Sequence, residues 1–125
     1  TQRRMRPEIS QLISPIYNEL NDHPSVLKHP QKVLGIDKNL FFLDHQVLEK
    51  TSSESTSKFN DHEVMLVANL CLYLVQQGYK PDKITVLTMY LQQLFRVKEQ
   101  LRENSKYNEG TNLRIFICSS MLMIE

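Results

Sequence analysis

At 125 residues the chain has room for one domain and not two, and 41% hydrophobic residues suffice for a core. A formal net charge of +1 excludes a domain that holds nucleic acid by bulk positive charge, so any such contact must come from a local site. No apolar run approaches the roughly 20 residues that cross a bilayer, and Thr1–Met5 carries no apolar leader and no initiating methionine, so the expectation is a segment of a soluble intracellular protein.

Glu8 to Leu20 places Ile9, Leu12, Ile13, Ile16 and Leu20 at helical spacing, with Pro7 suited to the first helical position and Pro15 expected to kink the helix. Asn21 to Asn39 is polar, holds Pro24, Pro30 and Gly35, and reads as an irregular connection. Leu40-Phe41-Phe42-Leu43 is a short apolar run that predicts a strand covered on both faces. Residues 44–59, with the run Thr51-Ser52-Ser53-Glu54-Ser55-Thr56-Ser57, predict a mobile surface loop, since that composition buries little. A strong helix follows over 60–77. Asn60 is its N-cap, Glu63 resembles the capping-box partner, and Val64, Val67, Ala68, Cys71, Leu74 and Val75 form its stripe. Gly78 ends it and Pro81 blocks a restart.

Ile84–Thr88 predicts a second strand, 90–103 a second amphipathic helix, 104–112 with Gly110 a loop, and Leu113–Ile117 a third strand. Strand, helix, strand, helix, strand is the order of a parallel α/β sheet with flanking helices and right-handed crossovers. The strands near Leu40, Val86 and Ile115 are therefore expected to be parallel neighbours. Cys71 and Cys118 lie inside apolar runs and read as small buried hydrophobes of a reducing compartment, not as a disulfide framework.

Chemistry-bearing motifs are sparse. No segment matches the phosphate loop G-x-x-x-x-G-K-[ST], and no nucleophile stands beside a base in recognisable order. His23, His29, His45 and His62 are scattered, none at zinc-ligand spacing with a cysteine, so no metal site is expected.

Two segments carry more. Gln2-Arg3-Arg4-Met5-Arg6-Pro7-Glu8-Ile9 resembles the Q-[HY]-R-M-[RH]-P-x-[IL] motif that opens the second motor domain of superfamily 1 RNA helicases of the nonsense-mediated-decay (up-frameshift) group. Ile84-Thr85-Val86-Leu87-Thr88-Met89-Tyr90-Leu91-Gln92-Gln93-Leu94 resembles that group's I-x-[IV]-[IL]-T-P-Y-x-x-Q-x segment, and the acid-headed helix between them, from Asp61-His62-Glu63 to Gly78-Tyr79-Lys80-Pro81, also fits. Within the group the wording is nearest to helicase-like proteins carrying NFX-type zinc fingers, through Arg6–Ser10, His23–Lys28, Asn39–Phe42 and the non-proline Met89, although no cysteine-rich finger lies in this segment.

The resemblance implies a partial RecA-like domain of the P-loop NTPase type over 1–125, from a parent that is an ATP-dependent RNA helicase or translocase using ATP and Mg. Arg4 matches the arginine that reaches the γ-phosphate across the cleft between two motor domains, as a planar, always-charged donor suits a transferring phosphoryl group. Arg3 stands where the family has His or Tyr near the nucleotide base, and Gln2 is expected to position the same loop. Thr88 and Tyr90 match residues that meet the backbone of single-stranded RNA at a strand-end edge. The implied partners are that RNA and the parent's first motor domain, with no membrane. The implied location is the cytoplasm, ribonucleoprotein granules being one option.

The chain's end departs from the family. After the third strand the group continues V-D-x-x-Q-G-x-E, whereas this chain reads Cys118-Ser119-Ser120-Met121-Leu122-Met123-Ile124-Glu125. A truncation or a changed reading frame is the expected cause, and the isolated chain is expected to bind no cofactor and to be catalytically inactive. The rival readings are a non-enzymatic RNA- or protein-binding scaffold, and a receiver-like signalling domain with Asp44 at a strand end.

Overall fold

The computed structural model describes residues 1–28 and 32–104, together with the backbone of 114–117 and 121–124. The expected loop around Gly110, and Cys118, lie outside the described residues. The chain forms two compact units, Thr1–Asp44 and His45–Glu125.

In the first unit, helix α1 spans Pro7–Ile13 and stops there. The expectation of a helix to Leu20 with a kink at Pro15 is corrected: Pro15 lacks an N–H and its ring crowds the preceding turn, so it ends the regular helix outright. One loose turn survives beyond it, where the Ile16 and Tyr17 N–H groups both donate to the Ile13 carbonyl. A short 3-10 turn over Pro24–Lys28 buries Val26. The strand expected at Leu40–Leu43 is absent; the segment is a bend at Leu40 followed by irregular chain, with Phe42 90% exposed. A strand covered on both faces needs a neighbouring strand, and among its described residues the first unit offers only an isolated bridge between Gln2 and Asp22.

The second unit opens with a hairpin, β1 (Lys50–Thr51) paired antiparallel to β2 (Lys58–Phe59). The segment expected to be a mobile surface loop carries a strand pair, and Phe59 supplies the buried anchor that the Ser/Thr run lacks. Helix α2 (Asp61–Gln76) follows, then β3 (Ile84–Thr88), α3 (Leu91–Glu103), β4 (Arg114–Ile117) and β5 (Met121–Ile124). β3 is central, in the order β4-β3-β5. It pairs parallel with β4, with Val86 opposite Ile115, and antiparallel with β5. The expected parallel relation holds for that one pair. The expected all-parallel sheet does not, because β5 pairs antiparallel on the other edge of β3.

The core joins the two helices to the central strand. Val64, Ala68, Cys71 and Leu74 of α2 face inward with Leu94, Val97 and Leu101 of α3 and Ile84 and Val86 of β3. Fully burying a side chain such as Leu74 contributes about 1.5–3 kcal/mol. At the end of α2, Gly78 takes φ +104, which a side-chain-bearing residue resists, and the Gly78 and Tyr79 N–H groups close on the Val75 and Leu74 carbonyls.

Candidate functional site

The Gln2 side chain builds the turn that carries the first motif. Its carboxamide oxygen accepts the Arg4 and Met5 N–H groups at 2.9 and 2.7 Å, and its nitrogen donates to the Met5 carbonyl at 2.7 Å and to the Asp22 carboxylate. The Gln2 backbone is held as well, its N–H donating to the Asn21 carbonyl at 2.8 Å and its carbonyl accepting from His23 at 2.9 Å. Asp22 is fixed from its other oxygen by the buried Ser10 hydroxyl at 3.0 Å. Both lobes of one amide and both oxygens of one carboxylate are used, so the turn is held at several points. Arg3 and Arg4 project from it exposed, and among the described residues neither guanidinium has an ion-pair partner.

The second motif lies where β3 runs into α3. Thr88, the last residue of β3, is 4% exposed, and its hydroxyl has no hydrogen-bond partner among the described residues. Such an orphan is uncommon in a folded protein. Met89 is 59% exposed and Tyr90 37% exposed. Tyr90 is the N-cap of α3 and offers no side-chain cap, since a phenol cannot fold back onto its own helix as a short oxygen side chain does. The first turn of α3 carries no acid of its own, and the Glu63 carboxylate of α2 accepts from the Gln93 side chain within that turn. Gln2, Arg3 and Arg4 thus sit together in the first unit, and Thr88 and Tyr90 together in the second. Asp44 lies at no strand end, because the strand that would have carried it is absent.

A polar network backs the β3–α3 turn. Gln93 is 8% exposed; its oxygen accepts the Asn60 N–H at 2.8 Å, and its nitrogen donates to the Asn60 carbonyl at 3.3 Å and the Glu63 carboxylate at 3.2 Å. Asn60 caps α2 as expected, accepting the His62 and Glu63 N–H groups, while its own side chain donates to the Val47 carbonyl at 2.8 Å. The capping-box role read for Glu63 is corrected: Gln93 takes the Asn60 N–H, and the other Glu63 oxygen pairs with His45 at 3.1 Å. Arg96 bonds Asp61 at 2.7 Å and lies 3.6 Å above the Phe59 ring, a cation–π contact of about 0.5–1 kcal/mol. Lys58 pairs with Glu49, which raises the ammonium pKa. Burial pushes the Cys71 thiol up to about 12. Among the described residues no three His, Cys, Asp or Glu side chains are placed to share a metal ion.

Sequence reasoning missed the Gln93 tie and a contact from Ser57 to α3. Gln93 was visible as the glutamine of the second motif, but its partner lies 33 residues away. Ser57 gave no signal, being one hydroxyl among several in a polar run.

A family described as "AAA domain" matches residues 1–120. The NFX1-type zinc finger-containing protein 1 of Mus musculus is 48% identical over 99 residues, 78% of this chain, and that of Homo sapiens is 46% identical over the same length. The "Helicase required for RNAi-mediated heterochromatin assembly 1" of Schizosaccharomyces pombe is 34% identical over 104 residues, 82% of this chain. The chain spans 5% of the length of the first two relatives and 10% of the third.

Proposed function

The chain belongs to the AAA domain family, a P-loop NTPase-like fold with helicase relatives, and from that premise we propose that it supplies part of the second RecA-like motor domain of an ATP-dependent RNA helicase or translocase. In this reading the first motor domain, carrying the phosphate loop and the Mg-binding carboxylate, closes on ATP against the Gln2–Arg4 turn. The observation that carries it is the turn itself. The Gln2 carboxamide and Asp22 fix the backbone, and Arg4 is presented with its guanidinium free of any ion pair among the described residues. A planar, permanently charged fork of donors suits the charge that spreads over a γ-phosphoryl group in transfer. Arg3 replaces the usual ring beside the base and stacks through its guanidinium plane.

The RNA-facing edge is assigned to Thr88 and Tyr90. The support is a Thr88 hydroxyl at a strand end with no hydrogen-bond partner among the described residues, followed by a helix start whose dipole favours a phosphate, with an exposed tyrosine on which a base can stack. The site of action in this reading is the cytoplasm.

The test is binding of ADP–aluminium fluoride, a mimic of the transferring phosphoryl group, to the protein containing both motor domains. Arg4→Ala should weaken the mimic by about tenfold or more and leave ADP affinity unchanged, since the contact is made only to the γ-position. Equal affinity for the mimic in wild type and variant would remove Arg4 from the nucleotide site.

A further inference from the structure

We propose that Ser57 is a positioning residue for the RNA-facing edge: its hydroxyl caps α3 from outside the helix and so leaves the N-cap position to Tyr90. This rests on the reading of Thr88 and Tyr90 given above. The Ser57 oxygen accepts the Gln92 N–H at 3.2 Å across 35 residues. Gln92 is the second residue of α3, and its N–H is the one that an N-cap Ser, Thr, Asp or Asn would ordinarily take. Tyr90 has the extended backbone of an N-cap (φ −123, ψ 144) and makes no side-chain cap of its own. The oxygen is supplied by another element, and a ring occupies the position where the helix would otherwise need a short polar side chain. An exposed aromatic at a helix start is what a stacking contact to a nucleobase requires.

Ser57 is held where it can do this. It immediately precedes β2, whose Lys58 pairs with Thr51 across the hairpin, and its carbonyl accepts the Ser52 N–H at 3.2 Å. Its own N–H donates to the Ser55 hydroxyl at 3.3 Å. Two residues on, Phe59 is buried under Arg96 of the same helix α3, and Asn60 is tied to Gln93. The hairpin therefore meets α3 at Gln92 and Arg96, the residue after it at Gln93, and Ser57 is the contact nearest the β3–α3 turn. Within Thr51–Ser57, among the described residues, it is the hydroxyl that reaches α3.

The experiment compares the 125-residue chain with Ser57→Ala, Ser57→Thr and Tyr90→Ala, reading amide exchange at Gln92, melting temperature, and affinity for a fluorescently labelled oligouridylate. Ser57→Ala should speed Gln92 exchange and weaken oligouridylate binding by about fivefold, the factor that corresponds to loss of one cap of typical strength. Ser57→Thr, which keeps the hydroxyl, should restore both, and Tyr90→Ala should weaken binding without speeding Gln92 exchange. Unchanged Gln92 exchange in Ser57→Ala overturns the proposal. So does faster exchange with wild-type RNA affinity, or a Ser57→Thr variant that behaves like alanine. Wild-type affinity in Tyr90→Ala, or no binding by the unmodified chain, removes the RNA edge itself and with it anything for Ser57 to position. Gln92 exchange would still respond to Ser57→Ala in that case, which separates the two failures.

Discussion

Replacing Gln93 with leucine isolates what the polar network contributes to folding. Three hydrogen bonds are lost, but their consequences differ. The Asn60 carbonyl keeps the Val64 N–H at 3.0 Å, so it remains satisfied. Glu63 keeps His45, and its side chain is 42% exposed, so water replaces the Gln93 amide at small cost. The Asn60 N–H has no such recourse: the residue is 5% exposed, and Gln93 is its acceptor. An orphaned buried donor costs about 1–3 kcal/mol, and a leucine of similar volume leaves little cavity. The expected destabilisation is about 2 kcal/mol. Urea titration followed by helical circular dichroism reads it, because α2 and α3 hold 16 and 13 residues against 7 in α1. The midpoint should fall with an unchanged denaturant slope. Gln93→Glu should be worse near neutrality, since it sets a buried carboxylate against Glu63. A Gln93→Leu variant within about 0.5 kcal/mol of wild type, the usual range for a plain surface change, would refute this account of the network.

Gly78→Ala should cost about 1–2 kcal/mol in the same titration. Nothing lies within 4 Å of an added Cβ, so the whole effect is the left-handed φ of +104. Cys71 should resist thiol reagents at pH 8 in the folded chain and react on unfolding, because burial pushes its pKa up to about 12. The unfolded thiol ionises first as pH rises, so the contribution of Cys71 to stability should be constant below pH 9.0 and fall between there and about 12. Cys71→Ala should flatten that alkaline limb. The isolated chain should show no ATP turnover in a phosphate-release assay, since its sequence has no phosphate loop.

Local chemistry was legible in the sequence where one element determines its own shape. The Asn60 side chain starts α2 and Gly78, free of a Cβ, ends it at positive φ, and the β-branched Ile84–Thr88 run is a strand with Val86 opposite Ile115. Failures came where a partner decides the outcome. Leu40–Leu43 is apolar enough for a buried strand, but no strand among the described residues pairs with it. Phe59 looked like the end of a polar loop until Arg96, 37 residues on, closed over it. Glu63 stood at the right spacing for a capping box, and Gln93 competed successfully for the same N–H. Of the candidate site, Gln2 was readable as a loop organiser through the motif, whereas its use of Asp22 was not, because a sequence does not announce which distant carboxylate an amide will meet.

The central claim, that Arg4 completes an ATP site shared between two motor domains, is tested most directly by steady-state ATP turnover of the protein containing both. Wild type, Arg4→Ala and Arg4→Lys are measured side by side with RNA binding and melting temperature. The account predicts a loss in Arg4→Ala on the order of a thousandfold, as for arginine fingers acting across an interface. Arg4→Lys should recover little, because a compact ammonium lacks the fork geometry. RNA affinity without nucleotide and melting temperature should stay near wild type. Normal turnover in Arg4→Ala would contradict the claim and leave Arg4 an ordinary exposed residue on a well-braced turn.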